Sequence, residues 1–284
     1  MTRKAIAAGT FYPADKGELS GFLRKAFPKK SSVKSGRAYG IVAPHAGFAY
    51  SGQCAALAYN EISELDKTCT FVILGTNHTG YAESNFAVSR EDFETPLGIA
   101  RNDTEFCNEI ISSGMAGLTI GDMAAHAQEH SIEVQLPFLQ SVFGSGFRIV
   151  PVICSSQNYD DCTGFAKGII AAAKKLKRKI CIIASGDMTH YGVAYGFLPF
   201  VSSIKKNLYT MDSRAIELVC RFKTKKFLDY CSGKTICGAS CIAAAIETCR
   251  LLGSNKAELI NYCTSADISN DYSNAVGYAS IAFR

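Results

Sequence analysis

Apolar residues along the chain fall into two alternating patterns. Short continuous runs of β-branched and aliphatic residues occur at 37–43, 69–74, 147–153, 179–184, 258–264 and 276–283. Each has the length and composition of a buried strand. Between them lie segments with helical spacing. Ser51 to Leu65 reads as a helix with Ala55, Ala56, Leu57, Ile62 and Leu65 apolar, and Asp160 to Lys177 and Cys237 to Leu252 also read as helices. Residues 85–90 and 97–101 are short strands around Thr95-Pro96. Asp103 is placed to cap a helix through Ser113. A helix is expected over His130 to Phe143, with Pro137 marking a kink or a late start. Two or three helices follow residue 184, with Asp212 as an expected N-cap.

Strands separated by helices imply an α/β fold with a mostly parallel central sheet and helices on both faces. No internal repeat, low-complexity tract or Pro/Ser-rich linker divides the chain, so one domain over residues 1–284 is expected. Parallel sheets bind ligands beyond the carboxyl ends of their strands. Three strand-like runs here end in loops that carry a histidine. Gly40-Ile41-Val42-Ala43 leads to His45, Phe71-Val72-Ile73-Leu74 to His78, and Ile180 to Ala184 leads to Asp187 and His190. The chain has only 5 histidines, so three in one structural setting point to a metal or acid/base site.

Composition narrows the function classes. A hydrophobic content of 48% with 19% charged residues supports a sizeable core and excludes a disordered chain. The net charge of +5 is mild for 284 residues and gives no reason to expect nucleic acid. The basic run Lys174 to Lys179 is better read as a solvated helix end, where cations complement the helix dipole. No apolar stretch approaches the roughly 20 residues of a membrane span. Residues 1–6 lack the apolar core of a signal peptide. The 12 scattered cysteines include no pair of C-x-x-C motifs, so a cytoplasmic chain with mostly free thiols is expected.

Four further features bear on chemistry. Asp187 and His190, three apart, would share one face of a helical turn, with Asp187 orienting His190 or sharing a metal with it; the alternative makes Asp187 a cap and His190 incidental. His126 and His130 are four apart, but the order His-Ala-Gln-Glu-His is not that of a zinc peptidase. Cys237 opens a helix, where the dipole would lower its thiol pKa. It is the best metal ligand or reactive thiol of the 12, or else a small core residue.

Taken together, several stretches resemble the MEMO family, also called AmmeMemoRadiSam system protein B. They are Ala8 to Pro13, Ala43 to Gly52, Ile73 to His78, Thr95 to Gly98, Glu129 to Pro137, Ala184 to Gly192 and Cys237-Gly238. The resemblance implies a fold like the class III extradiol dioxygenases, non-heme iron enzymes that hold iron with two histidines and a glutamate. In MEMO proteins the cleft has two histidines and a cysteine, which fall on His45, His78 and Cys237 here. Asp187 and His190 match the other polar residues of that cleft, His190 as acid/base. Members are described as binding iron (Fe2+) or copper. An animal member is described as a cytosolic effector of growth-factor signalling in cell migration that binds phosphotyrosine peptides. The microbial branch is associated with radical-SAM and AMMECR-type proteins. A thiolate in place of a carboxylate favours softer ions. Three readings follow: a metal-dependent redox enzyme, a signalling module that binds a phosphopeptide or partner protein through the same cleft, and a metal-free redox thiol at Cys237.

Overall fold

The computed structural model describes residues 1–28, 38–112 and 119–284. Arg37 of the first expected strand and Ser113 of the helix after Asp103 lie outside them. Among the described residues, twelve strands join one mixed sheet. They are β1 (Thr2–Arg3), β2 (Gly40–Ala43), β3 (Thr70–Thr76), β4 (Phe86–Val88), β5 (Asp92–Thr95) and β6 (Gly98–Asn102). The rest are β7 (Thr119–Gly121), β8 (Arg148–Cys154), β9 (Ile180–Ser185), β10 (His190–Gly192), β11 (Ala257–Thr264) and β12 (Asn274–Phe283). The order is β1-β5-β6-β8-β3-β9-β2-β12-β10, with β11 on β12 and β4 between β7 and β8. The stretch β6-β8-β3-β9-β2 is parallel throughout. β12 runs antiparallel to its neighbours β2, β10 and β11.

Alternation along the central strands sends neighbouring side chains to opposite faces. Val42, Val72, Leu74, Val150, Ile182 and Ala184 join one buried cluster. It is covered by helices Thr104–Ser112, Tyr159–Lys175, Ile204–Cys220, Thr224–Cys231 and Ala239–Leu251. Ile41, Ala43, Phe71, Ile73, Ile149 and Ile183 join the other, under helices Lys16–Ala26, Phe48–Asn60 and Leu136–Phe143. Both faces are covered, as the continuous apolar runs require. No helix among the described residues is long and apolar enough to cross a membrane.

Local rules explain several boundaries. Asp103 accepts the Phe106 N–H at 3.2 Å, as a cap should. Lys174 and Lys175 close the last turn of helix Tyr159–Lys175. Two expectations need correction. Asp212 caps nothing. It is fully buried inside helix Ile204–Cys220 and takes bonds from the Thr189 N–H, the Thr189 hydroxyl and the Tyr262 hydroxyl. The helix expected from His130 starts only at Leu136, after a 3-10 turn at Glu133–Gln135, with Pro137 in its first turn. That is the late start, where a missing N–H costs nothing.

The sheet places the histidine loops side by side. β3, β9 and β2 are consecutive and parallel, with Leu74 opposite Ala184 and Ala43 opposite Ser185. Their carboxyl ends therefore finish at one edge.

Candidate metal centre

His45 leaves β2 through Pro44 and is 2% exposed. Its backbone N–H donates to Asp187 Oδ1 at 2.8 Å. Its ring Nδ1 lies 3.1 Å from Ser185 Oγ. The Ser185 hydroxyl donates its own hydrogen to the Ser131 carbonyl at 2.6 Å and accepts from Gln135 Nε2 at 2.8 Å. Its remaining lone pair takes a proton from Nδ1, so the ring lone pair sits on Nε2. Nε2 is 3.3 Å from Cys237 Sγ.

His78 follows β3. Its backbone N–H donates to Glu129 Oε2 at 2.8 Å, and Nδ1 to Oε1 at 3.0 Å. His190 opens β10 with Nδ1 3.2 Å from the Met188 carbonyl and 3.0 Å from the Thr235 carbonyl. Carbonyl oxygens only accept, so Nδ1 carries the hydrogen here too. All three rings thus keep Nε2 as a base or metal ligand, fixed by the partner of the other nitrogen.

Burial sets the charges. It depresses His45 to about 3, and the neighbouring His78 adds to the effect. It likewise depresses His130 to about 4. It raises the Asp187 carboxyl and pushes the Cys237 thiol well up, with the Asp187 charge adding to the latter. The thiol lowering expected from the helix start is therefore overturned: Ala239–Leu251 begins two residues later, and burial outweighs its dipole. Glu129 behaves differently. Burial works to raise it, but the His78 and Ser131 hydrogen bonds prevail and hold it at about 2.

The surrounding cleft has a volume of about 530 Å3 and exposes His45, His78, His130, His190 and Asp187, with Tyr50 and Tyr195 among its other walls. A family model described as "Memo-like protein" matches residues 3–282. The chain belongs to the Memo-like family. A MEMO1 family protein of Methanopyrus kandleri is 36% identical over 294 residues, covering all of this chain and 99% of its own length. One of Thermococcus onnurineus is 38% identical over 299 residues and one of Nitrosopumilus maritimus 33% over 290, each covered completely in both directions.

Among the described residues of this Memo-like chain the ligand atoms form two groups, each within 4.8 Å internally: His45, His78 and His130, and His45, Asp187 and Cys237. His45 belongs to both. The expected helical turn linking Asp187 and His190 is absent: His190 is in a strand, and carbonyls orient it. Asp187 instead holds the His45 backbone and lies 3.9 Å from His45 Nε2. His126 and His130 do not pair on a helix. The helix there covers only Ala124–Ala127, and His126 is buried with Nε2 3.0 Å from the Ala87 carbonyl.

His130 is the site residue that the sequence reasoning left out. It stacks on Phe11 at 4.2 Å and on His78 at 4.8 Å, with Nδ1 3.4 Å from Glu129 Oε1. A signal exists in its neighbourhood. Glu129, Ser131, Glu133 and Gln135 are polar at every second position, yet each is at most 2% exposed. Buried polar chains need partners. Glu129 and Ser131 serve the histidine loops, and Gln135 braces Ser185 and the Pro44 carbonyl. Glu133 takes Arg3, two backbone N–H groups and the Tyr12 hydroxyl.

Proposed function

We propose that the cleft is a metal centre of a redox enzyme. His45 with His78 and Cys237 would hold Fe2+ or copper, His190 would move a proton, and Asp187 would tune the ligands. The observation that carries this is the set of protein-fixed Nδ1 atoms on His45, His78 and His190, which leaves three Nε2 lone pairs at one sheet edge. His45 and Cys237 are spaced for one such ion, while His78 joins His45 in the other group of ligand atoms. A nitrogen and a sulfur on one tetrahedral ion, about 2.0 and 2.3 Å away, sit roughly 3.5 Å apart. His45 Nε2 and Cys237 Sγ are 3.3 Å apart. Iron or copper would supply Lewis acidity and one-electron chemistry.

The chain's own part is positioning and proton handling. His190, edge-on to Tyr195 at 5.0 Å, accepts a substrate proton at Nε2 while its Nδ1–H stays on two carbonyls. Glu129 holds the His78 Nδ1–H and prevents the ring from turning. A phosphotyrosine-type peptide would meet Asp187 and Asp271 in this cleft, and no Lys or Arg among the described lining residues. That favours the enzymatic reading over the signalling one. All 12 cysteines are free thiols, which suits the reducing cytoplasm.

Elemental analysis of anaerobically purified protein tests the centre. Near one iron or copper per chain is expected, with loss in His45→Ala. Full metal content in that variant would overturn it. Oxygen uptake with a panel of catechol-like substrates, abolished by His190→Gln, tests the enzyme. Metal binding without turnover on any substrate would return the cleft to a binding role.

A further inference from the structure

The cysteines differ in access and in company. Nine are buried, whereas Cys220, Cys237 and Cys263 are half-buried. Cys237 belongs to the cleft. Cys220 is pushed up to about 11 by burial, and its bonding partner is the Leu259 backbone. Cys263 differs in facing a second thiol. It is hydrogen-bonded to Cys54, which is 1% exposed.

Strand register brings this pair together. Between β11 and β12, Asn261 lies opposite Ser280 and Cys263 opposite Tyr278. Residues two apart on a strand share a face, so these four form one patch. Helix Phe48–Asn60 lies across it. The Ser280 hydroxyl donates to the Cys54 carbonyl and sits 3.0 Å from Cys54 Sγ. Cys54, Val276 and Tyr278 form a small buried cluster, with Ala46 and Cys263 packed against it. Ala46, Val276 and Tyr278 also line the cleft. The hydrogen bond from Cys263 lowers the Cys54 thiol, and the same bond, with burial, raises Cys263. The pair therefore gives up its first proton from Cys54, and the S–H left on Cys263 holds the thiolate charge.

We propose that Cys54 and Cys263 are a redox-modification site: hydrogen peroxide converts them to a disulfide that fastens helix Phe48–Asn60 to β11 beneath the cleft wall. The singly deprotonated pair reacts from the sulfur that solvent reaches. As Cys263 Sγ attacks one peroxide oxygen, its proton passes along the hydrogen bond to Cys54, the O–O bond breaks and hydroxide leaves. Cys54 then attacks the sulfenic sulfur of Cys263, the S–O bond breaks, and the hydroxyl leaves with the Cys54 proton as water. The two sulfurs lose two electrons and the peroxide gains them. Rotation of the two unbranched side chains closes the sulfurs to the about 2.05 Å of a disulfide. A lone thiol would stop at the sulfenic acid or pass on to the sulfinic acid. The step involves no metal, so it stands independently of the metal reading above.

The test treats the full chain with hydrogen peroxide, once as isolated and once after chelation, then alkylates the remaining thiols and weighs the tryptic peptides without reductant. Cys54 is the one cysteine of peptide 38–67 and Cys263 the one cysteine of peptide 257–284, so their bridge is unambiguous. The cross-linked pair, two hydrogens lighter than the separate peptides, is expected in both samples. Iodoacetamide labelling of Cys263 should fall by at least about tenfold and return with dithiothreitol. In Cys54→Ser, dimedone should trap Cys263 as the sulfenic acid, with no bridge. Recovery of Cys263 in the unaltered chain as sulfinic acid, bridged to another cysteine, or unreacted where Cys220 is oxidised would overturn the pairing. A bridge confined to the sample as isolated would overturn the metal-free step. If Cys54→Ser fails to fold, the cross-link in the unaltered chain decides alone.

Discussion

Replacing Arg3 with Met probes the support beneath the cleft without touching it. Arg3 is 5% exposed, and its guanidinium donates to the Glu133 carboxylate at 2.7 Å, the His126 carbonyl at 2.6 Å and the Glu129 carbonyl at 2.7 Å. It also lies 4.8 Å from the centroid of the Phe93 ring. Glu133 is wholly buried and keeps only the Ile6 and Ala7 N–H groups and the Tyr12 hydroxyl once Arg3 is gone. An unpaired buried carboxylate costs about 3–5 kcal/mol. That is a large part of the roughly 5–15 kcal/mol that holds a typical native protein. With a urea slope of about 3 kcal/mol/M, the unfolding midpoint should fall by about 1–1.7 M. Circular dichroism in urea measures it. Lys4→Met is the control: its partner Glu94 is 2.7 Å away, but the Lys4 side chain is 77% exposed, so a loss below about 1 kcal/mol is expected. Equal midpoints for the two variants would refute the reasoning, because they would mean that burial does not decide the strength of these pairs.

Two further perturbations address the loops and the acid limb. A Cβ on Gly186 would overlap the Cα of Gly238, where the Asp187 and Cys237 loops cross. Gly186→Ala should lose about 1–3 kcal/mol and weaken Cu+ binding, whereas Gly146→Ala, whose Cβ would meet only the Lys67 side chain at 3.6 Å, should do neither. Thermal unfolding and Cu+ titration read both, and a Gly186→Ala protein equal to Gly146→Ala would show that the crossing yields freely. Burial lowers His126 to about 4, against about 6.5 in the unfolded chain. The unfolded state therefore binds more protons in that window, and the stability is present above pH 6.5 and lost as pH falls toward 4. His126→Asn should flatten the fall by up to about 1.4 kcal/mol per pH unit in chelator-treated protein, and an unchanged slope in urea unfolding would contradict the assignment.

The parts of the site that were legible in the sequence are those fixed by local rules. Each apolar run ending at His45, His78 or His190 reports its own strand, and parallel order brings the ends together. What escaped depends on residues far away in the chain. Asp212 looks like a cap because Asp commonly caps, yet its bonds go to Thr189 and Tyr262 on other elements. Cys237 looks like an activated thiol because a helix follows, yet burial and Asp187 decide its proton. His130 is the clearest case. Glu129 to Gln135 alternates polar and other residues like a half-buried strand, but it folds as turns and a 3-10 helix with both sets inside. Such a segment is stable only if every inward polar group meets a fixed partner. Those partners are Arg3, Tyr12, His78, Ser185 and the Pro44 carbonyl, spread from the amino terminus to the ninth strand. The same seven residues therefore tie the start of the chain to the histidine loops. A change at Arg3, which touches no ligand ring, should be felt at His78 and His130 through Glu129.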